Sequence, residues 1–166
     1  MTHKEPWYLG QRAEQLAIVY LTRSDRISFI NRSAENVGFD FTVRIKGQSL
    51  GKIFGIEVKA VRKSAKKIKL TFTMNETVHY IRSSYPMGIF LFIMENDVGY
   101  FSWLVEPVIL SDNSKRLVVA ADILDNADNN TMINNPVIYD TSKMLPLNDE
   151  TLEKIISQVD KWYDVT

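Results

Sequence analysis

Three side chains in the first half of the chain have the types and spacing for hydrolytic chemistry: Asp40, Glu57 and Lys59. Glu57 and Lys59 stand two apart in an extended run. They therefore project from one face, roughly 7 Å apart along the strand. Asp40 opens the preceding run, and if the two strands pair it comes near Glu57. Two carboxylates at close range repel, so one must take up a proton unless a cation lies between them. A hard divalent ion, Mg2+ or Mn2+, resolves that conflict through oxygen ligands. A lysine beside it would orient or deprotonate a water. That is the layout of metal-assisted phosphodiester hydrolysis.

Two strands and a turn must hold these residues. Phe41, Val43 and Ile45 alternate with Thr42 and Arg44, and Lys46 to Gly51 supplies turn chemistry. The run from Lys52 to Ala60 follows. Period-two alternation bounded by glycines predicts a hairpin. In the second strand Phe54, Ile56, Val58 and Ala60 make one apolar face. Glu57 and Lys59 share the other with Ile53, Gly55 and Val61. Burying a charge is costly unless it is paired, so charges in so apolar a run read either as a functional pair or as a plain cross-sheet ion pair.

Asp40, the turn, and Ile56-Glu57-Val58-Lys59-Ala60 resemble the core motif of the PD-(D/E)xK nuclease superfamily. With Arg12-Ala13-Glu14 and Gly38-Phe39-Asp40 added, about the first two-thirds of the chain is similar to an uncharacterised bacterial domain of that superfamily, whose members often occur near phage-defence genes. Phe39 stands where the superfamily's proline would be. The resemblance implies a restriction-endonuclease-like core. It also implies magnesium or manganese held by Asp40, Glu57 and the backbone carbonyl of Val58, with Lys59 and the helix residue Glu14 completing the catalytic set. Glu14 reads equally as a partly exposed helix glutamate.

The 166 residues predict a single domain, 1–166. Hydrophobic content of 45% and charged content of 24% are those of an ordinary globular protein, and without cysteine there is neither a disulfide framework nor a thiolate metal site. The start lacks the apolar core of a signal peptide, and the longest apolar run, Met87 to Met94, is too short to span a bilayer. A cytoplasmic protein without membrane contact is expected. Charge is uneven: residues 1–86 hold 15 Lys/Arg and 7 Asp/Glu, residues 87–166 hold 5 and 13. The asymmetry suggests either a polyanion partner for the first half or attraction between the two halves.

Along the chain, residues 6–22 read as a helix with Leu9, Ala13, Leu16, Ala17 and Tyr20 on one face. Ile27 to Ile30 reads as a strand. Arg62, Lys63, Lys66, Lys67 and Lys69 directly follow the motif strand and would suit a nucleic-acid backbone, or form a solvated loop. Lys69 to Thr73 reads as a short strand, and Asn75 or Thr77 as the cap of a helix carrying Val78, Tyr80 and Ile81. His79 lies on it with no nucleophile motif beside it and reads as a surface or satisfied core histidine. Ile89 to Met94 suits a buried strand and Gly99 to Leu104 its hairpin partner. Residues 105–150 look less regular: Leu117 to Ala120 reads as a strand and Asp125 to Asn135 as a polar surface loop. Residues 148–163 close with a helix capped by Asn148 or Thr151.

This order of elements predicts an α/β fold, bordering on α+β, with a central mixed sheet flanked by helices. The function expected with the resemblance is metal-dependent hydrolysis of nucleic acid, DNA rather than RNA, with a protein partner supplying specificity or a homodimer left open. The alternative is a catalytically silent module of the same fold that binds nucleic acid or a protein.

Overall fold

The computed structural model describes residues 6–34, 38–47, 51–128 and 136–166. Helix α1 (Trp7–Leu21) starts after Pro6 and buries Leu9, Ala13, Ala17, Tyr20 and Leu21. Strands β1 (Ile27–Arg32), β2 (Phe41–Ile45) and β3 (Ile53–Val61) follow. Next come β4 (Lys67–Leu70), α2 (Met74–Ile81), β5 (Met87–Ile93), β6 (Val98–Ile109), β7 (Lys115–Val119), α3 (Ala121–Asp128), β8 (Val137–Asp140), β9 (Leu145–Pro146) and α4 (Asp149–Asp164). The main sheet runs β1-β2-β3-β5-β6-β7, with β9 added beside the start of β6, and β4 pairs with β8 in a separate ribbon. The fold is α/β.

Every neighbouring pair is antiparallel except β3 and β5, which run parallel with Glu57 opposite Ile89 and Lys59 opposite Leu91. Parallel neighbours need a crossover connection. Here β4 and α2 supply it, which carries α2 across the face on which Glu57 and Lys59 lie. The alternation in β3 sorts its residues between two cores. Phe54 and Ile56, with Val58 and Ala60, pack with α1 and with Leu152, Ile155, Ile156 and Val159 of α4. On the opposite face Ile89, Leu91 and Ile93 of β5 pack with Tyr80, Ile123, Val137 and the β4 residues Ile68 and Leu70. Gly88 permits close strand packing: a Cβ there would lie 2.4 Å from the Phe101 ring.

Several sequence boundaries move. The fourth strand spans 67–70 rather than 69–73, because its partner β8 fixes the register, Lys67 opposite Asp140 and Leu70 opposite Val137. Strand β6 runs to Ile109, extended by pairing with β7. Asp125 lies in helix α3 rather than in a polar loop, since Ile123 anchors that helix in the second core. The rest of the expected loop, 129–135, lies outside the described residues, as does the 48–50 portion of the hairpin turn. Helix α2 is capped by Thr73, not by Asn75 or Thr77. The Thr73 hydroxyl accepts from Glu76 N–H while the Glu76 carboxylate accepts from Thr73 N–H, a reciprocal capping box.

Part of the charge asymmetry is met by ion pairs between the two halves. Arg12 pairs with Asp97, Arg23 with Asp149, Arg26 with Glu153 and Asp160, and Lys52 with Asp160 and Asp164. Lys52 is nearly buried, and its bonds of 2.7 and 2.6 Å tie the foot of β3 to the last turns of α4. No described helix is long and apolar enough to cross a membrane.

Candidate active site

Asp40 sits just before β2 begins. Gly38 turns the chain with φ +89°, and the Asp40 N–H donates to Ile56 O at 2.9 Å, continuing the ladder one step past Phe41. Beyond that β2 has no further rung to offer. The Asp40 side chain takes over, its Oδ2 accepting the Val58 N–H at 2.7 Å. The N–H and C=O of a strand residue point to the same edge, so the Val58 carbonyl opens toward Asp40 as well.

Glu57 and Lys59 project from β3 toward α2. Glu57 is only 5% exposed. The Lys59 ammonium lies 2.7 Å from Glu57 Oε1 and 3.3 Å from Glu76 Oε1, and over the Phe72 ring at 5.3 Å. Glu76 is present because the capping box fixes it in the first turn of α2, and the crossover sets that turn above Lys59. Glu14 enters from α1, paired with Arg32 of β1. The guanidinium of Arg32 also lies over Phe41, 5.5 Å from its centroid.

Glu14, Arg32, Asp40, Glu57 and Glu76 line one cleft of about 480 Å³, together with Ser33 and Phe39. Four carboxylates thus meet two cations, Lys59 and Arg32. Three of these groups, Glu57, Asp40 and Lys59, are shifted by their surroundings. Burial pushes the Glu57 carboxyl up to about 8, against the pull of Lys59, with Asp40 and Glu76 adding to the rise. Burial likewise raises Asp40 despite its bond from Val58, and Glu14 raises it further. Burial alone would lower Lys59, but Glu57 and Glu76 outweigh it and hold the ammonium above the ordinary lysine value.

Among the described residues no three His, Asp or Glu side chains are gathered around a single point as a ready metal site. Asp40 is turned to the Val58 N–H and Glu57 to Lys59. The donor set nevertheless fits a hard divalent cation: its ligands are carboxylate and carbonyl oxygens, and the four carboxyl groups of the cleft outnumber the two cations beside them.

The basic stretch lies elsewhere. Arg62, Lys63, Lys66, Lys67 and Lys69 are exposed and follow the far end of β3. None of them lines this cleft. Lys67 stands opposite Asp140 in the β4–β8 ribbon. His79 is not a satisfied histidine: its Nε2 is buried with no partner among the described residues, and its ring packs on Phe39 at 5.2 Å and against Gly38. The fully buried Tyr80 hydroxyl is also without a partner among them.

Two cleft residues were not foreseen. Glu76 had a signal, the Thr73-x-x-Glu76 spacing of a capping box. Arg32 had none, because its place depends on β1 lying beside α1. No protein-family model matches the chain, and a search of curated proteins finds no match to it either.

Proposed function

We propose that the protein is a metal-dependent phosphodiesterase acting on nucleic acid, DNA before RNA, of the PD-(D/E)xK type that its motif resembles, and that it works in the cytoplasm, in bacterial defence. The observation that carries this reading is the gathering of Asp40, Glu57, Glu14 and Glu76 on one cleft, with the Lys59 ammonium held by Glu57 and Glu76. Asp40, Glu57 and the Val58 carbonyl would hold Mg2+ or Mn2+. The ion supplies Lewis-acid stabilisation of charge on the phosphate oxygens. Lys59 stays an ammonium through the neutral range, so it orients and stabilises negative charge and does not accept a proton. Its two carboxylate partners fix where that ammonium points. Glu14 and Arg32 hold each other at the cleft mouth, where Arg32 can meet a phosphate.

The test is cleavage of single- and double-stranded DNA and RNA with magnesium or manganese against a chelator. Wild type should nick at least one substrate only with metal, and Lys59→Ala should lose turnover while keeping affinity. Absence of metal-dependent cleavage on all four substrates would overturn the assignment.

One observation favours a second reading, a catalytically silent binding module. The site's charges already satisfy one another, Lys59 with Glu57 and Glu76, Asp40 with the Val58 N–H. Nucleic-acid binding without cleavage, unchanged by Lys59→Ala, is the outcome that reading requires.

A further inference from the structure

The outer face of α1 carries Tyr8, Gln11, Arg12 and Gln15, at the i, i+3, i+4, i+7 spacing of one helix face. With Arg32 of β1 they line a second groove of about 470 Å³. Arg32 lines both this groove and the carboxylate cleft, so the two adjoin at that side chain. Trp7 and Tyr8 are 75% and 52% exposed, their rings edge to face at 6.1 Å. Tyr8 thus offers an exposed ring within a groove that also carries two guanidiniums, with Trp7 beside it.

The chemistry narrows the ligand. An aromatic face stacks on a nucleobase only where the base is not already covered by its neighbours in a duplex. Each guanidinium has five N–H donors, and the pairs Arg12–Asp97 and Arg32–Glu14 each occupy only part of that set. The Gln11 and Gln15 amides both donate and accept, which suits base edges.

We propose that this groove is a subsite for an unpaired stretch of nucleic acid, a base stacked on Tyr8 and the adjoining phosphates on Arg12 and Arg32, so that the strand leads into the carboxylate cleft. Its purpose rests on the phosphodiesterase reading; its existence as a binding site does not.

Binding is measured by fluorescence anisotropy in the presence of a chelator, with labelled oligothymidylate and oligouridylate of about ten nucleotides against a blunt duplex of equal length. The single strands should bind more tightly than the duplex and quench Trp7, the most exposed of the three tryptophans. Binding of either strand supports the subsite, and the tighter one names its sugar. Tyr8→Ala should weaken single-strand binding roughly tenfold, while Tyr8→Phe should restore it. Arg12→Ala should weaken it and lower the salt slope by about 0.7. Tyr8 is exposed, so its replacement leaves the core intact. Unchanged affinity in Tyr8→Ala, or a preference for duplex, overturns the proposal. Tyr8-dependent binding in a protein that cleaves nothing keeps the subsite and removes the phosphodiesterase. Metal-dependent cleavage with undiminished single-strand binding in Tyr8→Ala does the reverse.

Discussion

Replacing Glu57 by glutamine should stabilise the protein, by an amount that depends on pH in a defined way. Glu57 is buried among Asp40, Glu76 and Lys59, and its folded-state value stands at about 8 against 4.5 for an ordinary glutamate. A carboxyl raised in the folded state favours folding fully below the unfolded value, and that contribution is lost as pH climbs to the folded value. Each unit of the interval is worth about 1.4 kcal/mol. The wild type should therefore match Glu57→Gln near pH 4.5, fall behind by about 3 kcal/mol at pH 7, and level off about 5 kcal/mol behind above pH 8. The pull of Lys59 on the ionised form and the push of Asp40 against it are both already contained in the raised value. Urea unfolding of the two proteins at pH 5, 6, 7 and 8 measures the gap. For a chain of this size the pH 7 difference is roughly 6–12 °C in Tm. A gap that stays constant across these pH values would refute the argument, since it would mean that Glu57 ionises as freely in the fold as out of it. Millimolar magnesium should narrow the gap by favouring the ionised wild type, through binding to the folded state alone.

Two further outcomes follow from the same geometry. Glu76→Ala removes half of the capping box and one of the two carboxylates on Lys59, and should cost about 1–2 kcal/mol in urea unfolding with a loss of helical circular dichroism. Gly88→Ala would press a methyl group into the Phe101 ring, and should cost about 1–3 kcal/mol as β5 and β6 part to admit it, read as a lowered Tm without loss of the α1 and α4 helices.

What the sequence made legible was what repeats locally. The two faces of β3 follow from strict alternation, and the closing helix from Asn148 and the stripe Leu152, Ile155, Ile156 and Val159. What it hid depends on distant pairing or on competing signals. The β4–β8 ribbon joins two four-residue strands from opposite halves of the chain, of which the sequence signalled the first with shifted bounds and the second not at all. Helix α3 is masked by its aspartates and asparagine and shows only Ile123 as an anchor. The cap of α2 was obscured because Thr73, Asn75 and Thr77 are all cap-forming types, and only the glutamate three residues on from Thr73 separates them. The charge imbalance between the halves was legible, and attraction between them was one of its two readings, but the individual pairs were not: α1, the turn before β1 and the foot of β3 had to be set against Asp97 and α4 before they could be seen.

Asp40 does the work of a missing strand residue, its carboxylate standing in for the backbone acceptor that β2 stops short of giving Val58. On the proposed function, selection on this position has two sources, and only one of them is chemistry. A descendant of this chain that had abandoned its substrate would still be penalised for losing the aspartate, because the orphaned Val58 N–H would loosen the strand through which Lys59 and the second half of the sheet are held. Asparagine, which keeps an acceptor oxygen and gives up the charge, is the substitution by which such a lineage could discard activity at least expense to its architecture. A shift from aspartate to asparagine at position 40, rather than simple loss of the residue, is the mark by which a retired copy of this fold could be recognised.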